Sequence, residues 1–506
     1  MRILFIVSEI IISEPLGVLL LSSICKEKGH STKLCALNEN DVFDQIKDFA
    51  PDLIAYSAMT ADIKQFKIFD ERLLSSGHQD IIRIMGGPHP TYFSDIIDEM
   101  YLDAICIGEG DNAILKICEC IDSNKPIINI PNVISSIDKD LKKELINDLD
   151  IFPLPDREML YEARPHYQKL GLRSVLTARG CAFNCTYCYV HSFNKMFKGL
   201  GEKVRRRKPQ AIIDELKTVI AADKYTKFVR FADDTFIYTV DDWFLEFSEL
   251  YRTEIGLPFY CLMRSNTFTE EIASILAKMG CVSVGMSIES GNSTMRSKIL
   301  KRYIPNKIIV QSFELARKHK INTYANSMLA LPGGSLKDDI DTFLFSRDLN
   351  VSAPTFSIFC PYPGLELTDY ALENGFLDPD YSYENKYGSP SVLNGYTEKE
   401  KQIQVRLQHL GPLFCVLPKI ATPLLLLLIK LPFTSLYHKI GATFEVFALS
   451  TRIFKNIYPK NPIHFLKVAI DSIAYAHKSS DEKDSLKEMT AMEGGPSRDV
   501  KRYKNV

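Results

Sequence analysis

Short β-branched, apolar runs alternate with helical stretches in two long series, and this alternation constrains the fold of the chain more than any other feature. In the first series the β-rich runs are residues 3–7, 53–57, 82–85 and 104–107, with a weaker one at 32–35. Helical segments fill the gaps at 16–28, 42–49, 63–74 and 112–121. Such alternation implies a parallel sheet with helices on both faces. Ligands of these sheets bind beyond the carboxyl ends of the strands. Those ends carry Ser57-Ala58-Met59-Thr60, Gly86-Gly87-Pro88-His89-Pro90 and Gly108-Glu109-Gly110, whose glycines let a ligand approach the backbone.

The second series has strands at 174–177, 227–231, 259–263, 283–288, 323–329 and 355–359, with helices near 208–222, 241–254, 268–279, 305–319 and 336–348. Six such units fit a partial (β/α)6 barrel, whose chemistry sits at the carboxyl ends of its strands. The expected organisation is α/β: a doubly wound, Rossmann-like domain over 1–125, a linker over 126–172 and the barrel over 173–370. A mostly α-helical domain over 371–478 and a polar, disordered tail over 479–506 follow.

Of the 506 residues 46% are apolar, enough for large cores, and 61 basic against 63 acidic residues leave a net charge of −2. That balance gives no global pull toward nucleic acid, and no nucleic-acid partner is expected. The apolar run at 3–7 stops at Ser8-Glu9, too early for a signal peptide, and reads as a buried first strand. The greasiest tract, 416–433, contains Lys419, Lys430 and three prolines, which argues against a spanning helix. A cytoplasmic protein is expected. Its twelve cysteines would then be reduced, and a tight cysteine cluster would serve a metal or catalysis.

One such cluster exists: Cys181-Ala182-Phe183-Asn184-Cys185-Thr186-Tyr187-Cys188, just after a predicted strand. Thiolates at this spacing suit zinc or an iron–sulfur cluster. A structural zinc needs a fourth ligand, for which His191 is near in sequence. Three cysteines on a cubane leave one iron open, which is a catalytic arrangement.

Cys-x3-Cys-x2-Cys with an aromatic residue before the last cysteine resembles the radical S-adenosylmethionine (SAM) enzymes. The resemblance continues after successive barrel strands in Phe231-Ala232-Asp233-Asp234-Thr235-Phe236, Ser287-Ile288-Glu289-Ser290-Gly291, Leu331-Pro332-Gly333-Gly334 and Pro361-Tyr362-Pro363-Gly364. It implies a 4Fe–4S cluster on Cys181, Cys185 and Cys188. It also implies SAM contacts at Tyr187, Asp233, Asp234, Arg264, Glu289 and Ser290. Asp233 and Asp234 would hold the SAM amino group, or else cap a helix. Glu289 would meet SAM, its ribose or the substrate. Arg264 would meet the SAM carboxylate, or else a surface ion pair.

The first half resembles the cobalamin-binding subgroup of that family through Pro15-Leu16-Gly17, Ser57-x-x-Thr60, Gly86-Gly87-Pro88-His89-Pro90 and Gly108-Glu109-Gly110-Asp111. Cobalamin contacts are implied at Ser57, Thr60, Gly86, Gly87, His89, Gly108, Glu109 and Gly110, with His89 alternatively a turn residue. The Asp-x-His-x-x-Gly hexad that places a histidine under cobalt is absent. A cobalamin lacking a histidine on its lower face is therefore expected, seated between the two domains.

The basic run Lys203-Val204-Arg205-Arg206-Arg207-Lys208 has the composition of a nucleic-acid patch, but its place before a barrel helix favours a solvated face or substrate contact. The helical region after 370 is expected to lie over the barrel mouth and to admit a small-molecule or lipid-like substrate. Its Leu-rich stretches, interrupted by Lys419, Lys430 and Lys439, extend this to peripheral membrane contact.

The family resemblance implies reductive SAM cleavage to a 5′-deoxyadenosyl radical, with electrons from a flavodoxin- or ferredoxin-type donor. Methylation of an unactivated carbon through methylcobalamin would follow. A cyclase, oxidase or rearranging enzyme is the alternative within the class; a non-catalytic cobalamin- or zinc-binding module is the alternative outside it. No catalytic residue is singled out from the sequence.

Overall fold

The structure, a computed structural model, describes residues 1–457 apart from 11–12, 39–41, 382, 384–387 and 456. The expected continuation of the helical region to 478 and the tail at 479–506 lie outside the described residues.

Arg2–Val7, Ser31–Ala36, Leu53–Ser57, Ile82–Gly86 and Ala104–Cys106 form a parallel sheet in the order second, first, third, fourth, fifth. After Arg2 the first strand is buried along its whole length, which is why it reads as an unbroken apolar run. Helices Leu16–Glu27 and Asp111–Asp122 pack on one face and Val42–Phe49 and Ile63–Ser75 on the other. The strand order reverses between the first and third strands, so the Ser57 loop borders the crevice of a doubly wound sheet and the Gly86 loop lies next to it.

Residues 126–172 are more than a linker. Val133–Ser135 adds a sixth strand antiparallel to Ala104–Cys106, and Ile127, Ile130, Met159 and Leu160 join the core of the first sheet. A three-residue edge strand is too short for its periodicity to show in sequence.

The second sheet holds Leu172–Val175, Phe228–Phe231, Phe259–Leu262, Cys281–Gly285, Asn322–Leu329 and Ala353–Ile358, all parallel and in chain order. Its helices start at sequence-encoded caps. The side chains of Asp241, Thr269 and Ser335 accept the N–H groups of Phe244, Ile272 and Asp338. The cap on Asp242–Glu254 comes from Asp241 and needs neither Asp233 nor Asp234.

The C-terminal helices do not lie over the mouth. Glu398–Val416 packs on the last strand and on helix Leu336–Asp348, with Leu407 and Phe414 against Leu329, Phe343 and Phe356. Beyond Thr434–Ala448 the chain passes beneath the amino ends of the strands. There the Ile453 carbonyl accepts the Ser283 hydroxyl, and the Ile457 carbonyl accepts the Gly171 N–H. An open barrel leaves an edge and a floor to cover, and this segment covers them.

Candidate active site between the two sheets

The cysteine loop leaves strand Leu172–Val175 along a path fixed by Asp233 at the end of the neighbouring strand. Asp233 Oδ1 accepts the Thr177 N–H at 2.9 Å, the Thr177 hydroxyl at 2.9 Å and the Ala178 N–H at 2.6 Å. Its Oδ2 is buried without a partner, and burial raises the carboxyl to about 7. Asp233, expected at the SAM amino group, is bonded to the loop that it positions and is absent from the wall of the cavity described below. Asp234 instead faces the cavity described below, with desolvation raising its carboxyl. At Gly180 (φ +92°) a Cβ would stand 2.0 Å from the Lys203 carbonyl oxygen, so only glycine allows the turn into Cys181.

Cys181, Cys185 and Cys188 are free of disulfides, with Cys185 buried and the other two half-buried. Burial pushes the Cys188 thiol up to about 11, and the nearby Asp234, Cys185 and Cys181 add to the effect. Three soft sulfur donors near enough to feel one another suit an iron–sulfur cluster. Among the described residues no three His, Cys, Asp or Glu side chains meet at single-ion distances. His191 Nε2 lies 3.2 Å from Glu366, a carboxylate also held by Lys195 and Lys301. Arg264 donates Nη1 to Cys185 Sγ at 3.1 Å and Nε to Asn266 at 2.9 Å, and its guanidinium lies 3.9 Å from the Phe183 ring centre. It is 7% exposed and forms no ion pair among the described residues.

Tyr187 is tied to the far side of the barrel. Its hydroxyl donates to Glu289 at 2.9 Å, and Arg302 reaches Tyr187 at 3.3 Å, Glu289 at 3.7 Å and the Ser287 carbonyl at 2.7 Å. Glu289 is buried at φ +67°, a conformation that costs roughly 1–2 kcal/mol for an L-residue. The Met328 N–H on its carbonyl at 2.7 Å holds it there. Burial raises the Glu289 carboxyl, opposed by Arg302, Tyr187 and Arg264. No sequence motif signalled Arg302. Ser290, expected as a SAM contact, lies in a turn, 1% exposed, where its hydroxyl accepts the Asn292 N–H at 3.2 Å.

A cavity of about 910 Å³ separates this loop from the carboxyl edge of the first sheet. Ser57, Thr60, Gly86, Gly87, Gly108 and Gly110 line one side; Arg179, Tyr187, Tyr189 and Asp234 line the other. An apolar slot continues beside Leu21, Ile84, Ile114 and Ile117. A largely apolar chamber reached by four glycines and a serine–threonine pair suits a large, flat cofactor with a polar tail. None of its lining residues is a histidine.

Two residues expected to contact cobalamin are engaged by other partners in the structure. His89 is 3% exposed, stacks on Phe93 with ring centres 4.8 Å apart and meets Thr60 Oγ1 at 3.4 Å; burial lowers it to about 4. It packs behind the loop and is absent from the cavity wall. Glu109 borders the cavity, but its carboxylate accepts Arg179 at 3.1 Å, Arg205 at 2.8 Å and the Ile146 N–H at 3.0 Å. Both oxygens therefore clamp the first sheet to the cysteine-loop ladder, Ala178–Arg179 against Arg205–Arg206. The arginines of the basic run are taken up internally, Arg206 pairing with Asp241 and Arg207 with Asp150 and Glu215, while Lys203 and Lys208 at its ends are exposed.

Sequence reasoning also missed an aromatic seam. Tyr92 and Tyr189 stack with ring centres 4.2 Å apart, the Tyr92 hydroxyl donates to the Tyr189 carbonyl at 2.8 Å, and Tyr362 follows at 6.0 Å.

Comparison with known proteins agrees with this two-sheet arrangement. The radical SAM superfamily model matches residues 175–345, and the B12 binding domain model matches residues 11–117. The chain belongs to the cobalamin-binding radical SAM enzymes, whose domains imply a 4Fe–4S cluster, SAM and cobalamin. It is 24% identical over 374 residues to an uncharacterized methyltransferase of Pyrococcus horikoshii, covering 72% of this chain and 79% of that one. It is 22% identical over 407 residues to cytidylyl-2-hydroxyethylphosphonate methyltransferase of Streptomyces wedmorensis, covering 71% and 73%. Its fold matches the radical SAM methyltransferase TsrM of Kitasatospora setae, solved with cobalamin and a 4Fe–4S cluster. The TM-score is 0.60 at 15% identity, over 75% of this chain and 79% of that one. It also matches the cobalamin-dependent SAM radical enzyme OxsB, solved with aqua-cobalamin and SAM, at a TM-score of 0.64 and 12% identity, over 98% and 82%.

Proposed function

We propose that the protein is a C-methyltransferase that methylates an unactivated carbon of a small or lipid-like molecule in the cytoplasm, with electrons from a flavodoxin- or ferredoxin-type donor. The observation that carries this reading is the single cavity shared by the strand-end glycines of the first sheet and by Tyr187 and Asp234 beside the cysteine loop. When bound, the three cofactors supply one-electron cleavage chemistry and a transferable methyl group.

The residues divide this work. Cys181, Cys185 and Cys188 hold the cluster. Asp233 and Gly180 set the path of their loop, and Arg264 compensates negative charge at Cys185. Tyr187 lines the SAM side of the cavity and is held there from behind by Glu289 and Arg302. Asp234 makes no hydrogen bond or ion pair among the described residues and is the carboxylate beside the cysteine loop left to meet a ligand amine. Ser57, Thr60 and the glycines hold the corrinoid, while the Tyr92–Tyr189–Tyr362 seam limits water entry.

A second reading is favoured by a different relative, the anaerobic magnesium-protoporphyrin IX monomethyl ester cyclase of Rubrivivax gelatinosus, 23% identical over 65% of this chain. Anaerobic turnover with methyl-labelled SAM separates the two. Label appearing on carbon in the product supports methyl transfer, whereas SAM cleavage giving an unlabelled, rearranged or cyclised product refutes it. Cys185→Ala serves as the cluster-free control.

A further inference from the structure

We infer that residues 417–447 form a docking face for an anionic lipid bilayer surface, a contact beyond the catalytic reading and independent of it. Helices Thr422–Leu428 and Thr434–Ala448 turn Leu425 and Tyr437 inward, onto the core around Glu398–Val416. Their other sides stay open. Ile420 is 89% exposed, Leu427 58%, Leu436 54%, Phe433 52%, Leu424 51% and Phe447 48%. Ile420, Leu424 and Leu427 follow at spacings of four and three, and Leu436, Ile440 and Phe447 at four and seven, so each set lies along one helical face. More than half of the large apolar side chains exposed among the described residues fall within these 31 positions. A cluster of that kind marks an interaction surface.

The charge around the patch selects the partner. Between Glu400 and Glu445 the sequence has no Asp or Glu but contains Lys401, Arg406, Lys419, Lys430 and Lys439. Lys419 is held by Asp348 at 3.0 Å, whereas Lys430 and Lys439 are exposed with no ion pair among the described residues. Apolar side chains bordered by uncompensated lysines suit a headgroup boundary rich in anionic lipid. Among the described residues no helix is long and apolar enough to cross a membrane, and the proposed contact is with the bilayer surface.

A second copy fits less well, because seated by a two-fold axis it would bring the same lysines together.

The test is co-sedimentation of the full-length holoenzyme with vesicles of phosphatidylcholine alone or mixed with phosphatidylglycerol, alongside two variants. Binding is expected only to the anionic vesicles and should weaken with salt. Lys430→Glu/Lys439→Glu should reduce it by about tenfold or more. Ile420→Glu/Leu427→Glu/Phe433→Glu should abolish it while iron content and circular dichroism stay unchanged. Negligible binding by the unmodified protein overturns the proposal. So does a dimer that the apolar variant converts to a monomer, which would assign the face to a second copy. Failure of a thiol reagent to label Leu427→Cys or Phe433→Cys in the monomer without vesicles, read by peptide mass mapping, would assign it to the chain's own remaining residues. Turnover with labelled SAM on a water-soluble substrate is read separately, so failure of vesicle binding leaves the catalytic reading intact.

Discussion

Replacing Glu109 separates a domain clamp from a cofactor contact. In Glu109→Ala, Arg205, with a side chain 4% exposed, keeps only the Ile146 carbonyl, and the Ile146 N–H loses its acceptor. Arg179 is less affected, because both of its terminal nitrogens still reach Asp111 at 2.8 Å. Removing one partner of a buried pair costs about 3–5 kcal/mol, and the retained contacts put this case near the lower end. For a domain of this size that corresponds to a loss of about 6–12 °C in the first unfolding transition. Glu109→Gln, which keeps an acceptor for Ile146, should lose about half as much, and Glu109→Gln/Arg205→Met should recover most of it by removing the stranded charge. The assay is calorimetry of the three variants alongside corrinoid uptake followed by absorbance below the transition. Corrinoid stoichiometry should remain that of the parent. An unchanged transition with tenfold weaker corrinoid binding would refute the clamp and restore Glu109 as a cofactor contact.

Three further outcomes follow from the site. Arg264→Gln removes the donor to Cys185 and should lower the midpoint potential of the cluster by about 60 mV, equivalent to ~1.4 kcal/mol for one electron; an unchanged potential in a redox titration followed by paramagnetic resonance would count against it. The reduced corrinoid should lack nitrogen hyperfine splitting from the protein, because no lining residue is a histidine, and such splitting in its resonance spectrum would contradict the assignment. The folded pKa of His89, about 4, lies below its ordinary value of 6.5, so the unfolded chain takes up a proton that the folded one refuses. Its contribution is complete above about pH 6.5 and falls as the pH drops toward 4, by at most ~3 kcal/mol; denaturant melts at both ends of that window should be flatter for His89→Gln, and an equal pH dependence would disprove it.

The sheets were legible because parallel strands buried on both faces must be apolar runs, and the helices between them carry their caps in sequence. Both strand–helix series appear where the alternation places them. The fourth barrel strand is shorter than its apolar run: Met286 and Ile288 still donate to the Tyr324 and Asn326 carbonyls, but the chain is already turning toward the left-handed Glu289. Val133–Ser135 was invisible because its length is set by its neighbour's edge rather than by its own pattern. The placement of the C-terminal helices was also hidden. Leu-rich segments state that a surface is buried, not which surface, and the floor of an open barrel competes with its mouth.

The carboxylates show where motif reading stops. Asp233, Asp234, Glu109 and Glu289 all follow strand ends in glycine- or acid-marked motifs, and sequence gives no reason to rank them. Their existing partners do. Three donors fill one oxygen of Asp233 and burial seals the other. Two arginines and a backbone N–H occupy Glu109, and Tyr187 with Arg302 engages Glu289. Asp234 alone faces the cavity without a hydrogen-bonding partner among the described residues. Each arginine that makes this distinction comes from a distant part of the chain: Arg179 and Arg205 from the loop ladder, Arg302 from beyond the fourth strand. A carboxylate already neutralised by a buried guanidinium gains little by turning to a ligand, whereas one desolvated at a cavity wall gains an ion pair when an amine arrives. The chemistry of the site is therefore written in local motifs, but the choice of which acid faces the ligand belongs to the tertiary fold.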